Sequence, residues 1–155
     1  SLPIRFAQPE GKDELISIPE MVGKLKAAVA ARRDPSTVIA GRTAALKVEG
    51  TEKTVERVKA YAACGVDCIF VIGVETAEQV KAVHEASKLP VIVGPGKTSA
   101  SRDDFAKAGA RVLLQGHQPI AAAVKALREV YAHFHAGGAA ADLKDKVASA
   151  KEMDA

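Results

Sequence analysis

The chain has 155 residues, enough for one domain with its own core, and 48% apolar against 26% charged residues excludes a disordered segment. Its 22 basic and 19 acidic residues leave a net charge of only +3, aromatics are 4% and Trp is absent, which argues against a nucleic-acid or anionic-membrane surface. No apolar run approaches the roughly 18 residues of a membrane span, no signal peptide is visible, and two isolated cysteines, Cys64 and Cys68, match no C-x-x-C pattern, so a reducing, cytoplasmic setting is expected.

In chain order, residues 1–15 are broken by Pro3, Pro9 and Gly11 and read as irregular. Ser17-Ile-Pro-Glu20 is a capping-box pattern that opens a helix to about Arg33, with Met21, Val22, Leu25, Ala28 and Val29 on one face. Asp34-Pro35 ends it, and residues 37–41 form a first strand closing in Gly41. Thr51 caps a helix to about Cys64, with Gly65 as its stop, and residues 67–73 are apolar throughout, as in a strand covered on both faces. Thr76 caps a third helix to about Ser87, and residues 90–94 are the third strand. Ser101 caps a short helix ending near Gly109, residues 111–114 are the fourth strand, and Pro119 starts a long alanine-rich helix to about His135. Gly137 and Gly138 break the pattern, and residues 142–154 read as a final amphipathic helix that docks on something else, such as another subunit.

Four consecutive strand–loop–helix units mark a parallel α/β protein, whose chemistry sits in loops at the C-terminal strand ends. Four such strands make either a small open sheet or half of an eight-stranded barrel, since a whole barrel needs roughly 250 residues. Arg42 directly follows Gly41 at a strand end, where a guanidinium either grips a carboxylate or caps a backbone carbonyl. His117 follows the fourth strand, where an imidazole either serves a developing enolate or is satisfied by the backbone. His84, His133 and His135 fall on helices and read as packing or solvated residues. Gly94-Pro95-Gly96-Lys97-Thr98 invites a phosphate-loop reading, but a Walker A motif needs glycine where Val91 stands; a glycine-hinged loop over residues 94–101 fits better. Glu49 and Glu75 are the carboxylates near strand ends, on different loops, and make no metal cluster.

Ile39-Ala40-Gly41-Arg42-Thr43, the downstream Glu56-Arg57-Val58-Lys59-Ala60-Tyr61 and Ala63-Cys64-Gly65-Val66-Asp67 resemble the isocitrate lyase/phosphoenolpyruvate mutase superfamily over residues 1–135. That family shows an Ile-Ala-Arg-Thr strand, a Glu-Arg-x-x-Ala-Tyr helix, then Ala-Gly-Ala-Asp. The resemblance implies a TIM-type barrel of which this chain is the C-terminal half, strands five to eight, with a helical extension over 136–155. The family's Mg²⁺-binding aspartates and its gating-loop Cys-Gly-His belong to the other half, so Mg²⁺ is the implied cofactor and none of its ligands is expected here. Arg42 is implied to bind a substrate carboxylate, with Thr43, Gly73, Gly94 and Pro95 lining the same strand ends and His117 as the catalytic group. Gly73 stands near where lyase members carry glutamate, and His117 stands where many members carry asparagine. Both resemble the oxaloacetate decarboxylase branch, whereas Ala44 departs from the family's Asp or Asn.

The implied activity is Mg²⁺-dependent decarboxylation of oxaloacetate, a small 2-oxo dicarboxylate, to pyruvate by a homo-oligomeric lyase. Two alternatives stay open: a carbon–carbon lyase or hydrolase of a related acid, and a non-catalytic half-barrel that pairs with its own copy to cover its strand edges.

Overall fold

The computed structural model describes residues 14–94, 96 and 98–154. Its elements run α1 (Ile18–Ala31), β1 (Ala40–Thr43), α2 (Ala45–Val48), α3 (Gly50–Ala62), β2 (Cys68–Val71), α4 (Ala77–Ser87), β3 (Val91–Val93), α5 (Arg102–Lys107), β4 (Ala110–Leu113), α6 (Gln118–His135), a 3-10 turn (Ala140–Leu143) and α7 (Ala150–Met153). The chain divides into two compact units, one ending at Gln115 and one beginning at Gly116. No helix among the described residues is long and apolar enough to cross a membrane.

The expected rhythm is present. The strands pair in parallel in the order β1-β2-β3-β4. Thr76 and Ser101 each cap their helices reciprocally, with Gln79 and Asp104 returning a side chain to the cap backbone. Gly65, at φ +84°, turns the chain out of α3. At Ser17 the expected capping box is half formed: its hydroxyl accepts from Glu20 N–H, but the Glu20 carboxylate takes the Lys24 ammonium at 2.8 Å instead.

Three expectations are corrected. The first strand is not residues 37–41 but Ala40–Thr43, so Arg42 lies within a strand and not after it. The cause is Asp67: its Oδ2 accepts from Ile39 N–H at 2.8 Å and from Arg32 Nη1 at 2.8 Å, while Arg32 Nη1 also reaches the Thr37 carbonyl at 3.1 Å. Residues 37–39 are held by these side chains, and regular pairing begins at Ala40 opposite Cys68. Second, Thr51 is not a helix cap; a short α2 intervenes, and α3 starts at Gly50 behind Glu49. Third, residues 142–154 are not one helix. The 3-10 turn ends at Leu143, and α7 starts afresh at the Ser149 cap, whose hydroxyl accepts from Glu152 N–H.

The Asp67 carboxyl is held below the usual carboxylate range by the Ile39 N–H and then by Arg32. Because the folded value is depressed, the stability it contributes is complete above the ordinary aspartate value of about 3.9 and is lost as pH falls through the lowered one. Thermal melts from pH 6 down to acid are therefore expected to lose part of their acid slope in Asp67→Asn. An identical slope in both proteins would remove Asp67 from that role.

The sheet has two unlike faces. One carries Ile69, Val71, Val91, Val93 and Ala110, and packs with Val58 and Tyr61 of α3, Val80 and Val83 of α4, and Phe105 of α5. The other carries the row Arg42, Phe70, Ile92 and Val112, adjacent across the ladders, and none of these belongs to that core. Phe70 and Ile92 are half-buried, and Val112 is 43% exposed. An irregularity between Val91 and Ile92 leaves Arg111 as an extra residue on β4, its guanidinium bonded to the Ala106 and Ala110 carbonyls. One face packed by helices and one left half-open is the form of a barrel wall. His84 packs as expected: its Nδ1 meets the Leu89 carbonyl at 2.8 Å, and its ring occupies the space a side chain at Gly109 would need.

In the second unit, α6 places Ile120, Val124, Leu127, Tyr131 and Phe134 at alternating steps of four and three. His133 Nε2 lies 2.9 Å from the Ala139 carbonyl and 3.3 Å from Asp142, which also accepts the Ala139 N–H.

Candidate functional site

The C-terminal strand ends carry four of the residues expected there, Arg42, Thr43, Gly73 and Gly94. Arg42 is exposed, and its guanidinium carbon stands 5.5 Å from the Phe70 ring centroid, within the range of a cation–π contact. Thr43 is buried at 2% exposure. Its hydroxyl accepts from Ala45 N–H at 3.1 Å and its carbonyl from Ile72 N–H at 3.1 Å, so Thr43 shapes the turn into α2.

Gly73 has φ +80°, and a Cβ there would run into the Lys47 stem, whose Cδ and Cε lie 3.0 Å from that position. Glycine at this strand end therefore makes room for a lysine that crosses from α2. Gly94 is buried, donates to the Val71 carbonyl at 2.8 Å, and would bring a Cβ to 3.1 Å from Ile72 and 3.2 Å from Phe70. A Cβ at Gly96 would meet the Val74 carbonyl oxygen at 2.6 Å. These two glycines let the loop run against residues 70–74, which is a close-approach role and not a phosphate cradle. Thr98 anchors the same loop through a 2.8 Å bond to the Glu75 carbonyl. Pro95 and Lys97 lie outside the described residues.

His117 opens the second unit, four residues past the end of β4. It occupies the N-cap of α6 at φ −104°, ψ 11°, makes no side-chain capping bond, and is exposed. Among the described residues no group of three His, Cys, Asp or Glu side chains could hold a metal ion. Glu49 is committed elsewhere, to an ion pair with Arg57 at 3.1 Å. A depression of about 580 Å³ lies beside the loop, lined by Glu75, Thr76, Glu78, Lys81, Ser99 and Asp104 among others. Arg42, Thr43, Gly73 and Gly94 do not line it, and its walls belong to α4 and α5 on the helix side of the sheet.

Sequence reasoning did not single out Phe70 beside Arg42, Lys47 beside Gly73, or the Arg57–Glu49 pair. Phe70 was accessible only through register: in a parallel ladder, the residue after Gly41 pairs with the third residue of the next strand. Lys47 and Arg57 carried no signal of such a role beyond their charge.

A family model described as phosphoenolpyruvate phosphomutase matches residues 7–135. The chain belongs to that family. Its expected place in the isocitrate lyase/phosphoenolpyruvate mutase superfamily holds, as does the α/β fold with a parallel sheet. Among curated proteins, an oxaloacetate decarboxylase of Rhodopseudomonas palustris is 41% identical over 149 residues, covering 96% of this chain and 51% of the relative. Among solved structures, a phosphonopyruvate hydrolase in complex with oxalate and Mg²⁺ is 29% identical with a TM-score of 0.72, covering 95% of this chain and 54% of that one. A 2,3-dimethylmalate lyase is 27% identical with a TM-score of 0.68, covering 79% and 47%. The chain spans about half the length of the curated relatives it matches, in keeping with a family member's half-barrel.

Proposed function

We propose that this chain is the C-terminal half-barrel of an oxaloacetate decarboxylase. The observation that carries this reading is Arg42, a permanent cation braced on Phe70 and exposed at the C-terminal edge of a parallel sheet. The likeness to oxaloacetate decarboxylases at about two residues in five supports the choice of substrate.

In this reading Arg42 takes a substrate carboxylate in a bidentate, charge-assisted pair. The C3–C4 bond breaks, C4 leaves as CO₂, and the electron pair passes to C3 and the ketone oxygen as the enolate of pyruvate. His117 is assigned the N–H donated to that oxygen as its charge grows, and a proton taken up from water at C3 completes pyruvate. Mg²⁺ belongs to the proposal through the Mg²⁺ complex of the phosphonopyruvate hydrolase. The resemblance assigns its ligands to the other half of the family's barrel. A cytoplasmic enzyme is consistent with two free, buried cysteines.

The test is product analysis on full-length protein given oxaloacetate, with and without Mg²⁺. Pyruvate and CO₂ in equal amounts are expected. Two organic acids would instead establish a carbon–carbon lyase or hydrolase, and no turnover would remove the reading.

A second reading is favoured by the half-open face with Phe70, Ile92 and Val112. In it, the chain stands alone and closes that face against another copy, without catalysis. Intact mass and sedimentation of the purified material decide between the two: a 16.2 kDa polypeptide sedimenting as a dimer supports the second, a polypeptide about twice that mass the first.

A further inference from the structure

We propose that Arg57 is a positioning residue for Arg42, a buried guanidinium that fixes both flanks of the β1 rim in one arrangement. The inference rests on the reading that Arg42 binds a carboxylate, and it assigns to Arg57 the orientation in which that carboxylate is met.

Arg57 lies in the second turn of α3 and is only 4% exposed. Its Nη2 donates to Glu49 Oε2 at 3.1 Å and Oε1 at 3.4 Å. Its Nη1 donates to the Ile16 carbonyl at 2.9 Å and to the Tyr61 hydroxyl at 3.3 Å. These partners sit on either side of Arg42. Glu49 closes α2, the four-residue helix entered directly from Thr43 and Ala44. Tyr61, 2% exposed, lies beneath Gly41, where an added Cβ would be 3.2 Å from its Cδ2 and 3.3 Å from its Cβ. One guanidinium thus grips the segment after Arg42 through Glu49 and the residue before it through Tyr61. Its third partner, Ile16, ties in the segment entering α1.

Stability alone does not account for this arrangement. The Arg57 Nε is buried and has no hydrogen-bond partner among the described residues. A buried ion pair is weak support for a fold, and an apolar side chain of similar volume often serves as well. A rigid, planar fork supplies instead one fixed geometry among its partners. Thr43 holds the start of α2 through the Ala45 N–H, and the Arg57–Glu49 pair anchors its end, where Glu49 makes no side-chain capping bond to α3. Lysine would keep the charge at Arg57 but not the fork.

The test reads Arg42 itself. In the isotope-labelled chain, the Arg42 side-chain resonances carry a ring-current shift from Phe70, identified by its disappearance in Phe70→Leu. In Arg57→Met most of that shift is expected to vanish, and amide exchange of residues 45–48 is expected to accelerate about tenfold while β2 and β3 exchange as before. Arg57→Lys is expected to restore little. An unchanged Arg42 shift and unchanged exchange at 45–48, with only a lower melting temperature, would overturn the proposal and leave Arg57 structural. If Arg57→Met does not fold, Glu49→Gln decides by the same two readouts, since it loosens one grip at a partly exposed carboxylate. On full-length protein, Arg57→Met is expected to raise KM for oxaloacetate with kcat unchanged. A wild type that does not turn oxaloacetate over would end the functional reading, while the Arg42 resonances would still decide the role of Arg57.

Discussion

Arg42→Ala in the full-length protein is expected to raise KM for oxaloacetate by about 10- to 100-fold, with a much smaller change in kcat. That range corresponds to losing a charge-assisted contact of about 1.5–3 kcal/mol. The position makes this a clean measurement. Arg42 is exposed and faces away from the helix-packed core, so its removal opens no cavity there. Among the described residues the fold loses the contact with Phe70, worth about 0.5–1 kcal/mol at an exposed site. Urea denaturation should therefore place the variant close to wild type, and the kinetic loss cannot be attributed to unfolding. Arg42→Lys sharpens the reading. A lysine keeps a charge but presents a point and not a planar fork, so only part of the affinity should return. Full recovery would mean that Arg42 attracts an anion without orienting it. An unchanged KM in Arg42→Ala would remove Arg42 from the site.

The rhythm of the fold was legible because it rests on local physics. Runs such as Cys68–Val71 and Val91–Val93 are apolar on both faces, and Thr76 and Ser101 cap their helices through residues three positions away. The misleading signals were overridden by tertiary contacts. Val38 and Ile39 are β-branched and look like strand, yet the Ile39 N–H belongs to a carboxylate 28 positions away, and pairing starts one residue later. The four-residue α2 is too short to show a period. The tail looked helical because its residues are good helix formers, but with few large apolar side chains nothing drives one continuous helix, and the capping serine starts it again at Ala150.

The site divides in the same way. Arg42 was legible from its place after Gly41 at the end of an apolar run. Its partnership with Phe70 was not, because it depends on which residue of β2 the ladder sets beside it. Nor was the role of Arg57, which reads in sequence as one more helix cation with Glu56 before it. Its burial comes from where α3 lands relative to Glu49 and the chain before α1. The strand-end candidates could be named from sequence, whereas the side chains packed around them needed three dimensions.

His117→Ala is expected to act on the other kinetic constant, lowering kcat by about 10²- to 10³-fold, the usual loss when one donor to a developing oxyanion is removed, while KM changes little. The local structure supports a role outside folding. His117 stands at the N-cap of an 18-residue helix, a position that favours Ser, Thr, Asp or Asn because their side chains accept from the first free N–H groups. Histidine makes no such bond here, and Pro119 in the first turn already pre-sets the backbone. Replacing His117 by serine should therefore stabilise the protein by about 0.5–1 kcal/mol while reducing turnover as alanine does. His117→Gln, which keeps an N–H donor on a side chain of different reach, should recover part of kcat. Stability and activity moving in opposite directions at one exposed residue is the pattern of a group placed for chemistry at a small expense to its helix. If His117→Ser gains stability and keeps full kcat, the imidazole has no part in the reaction.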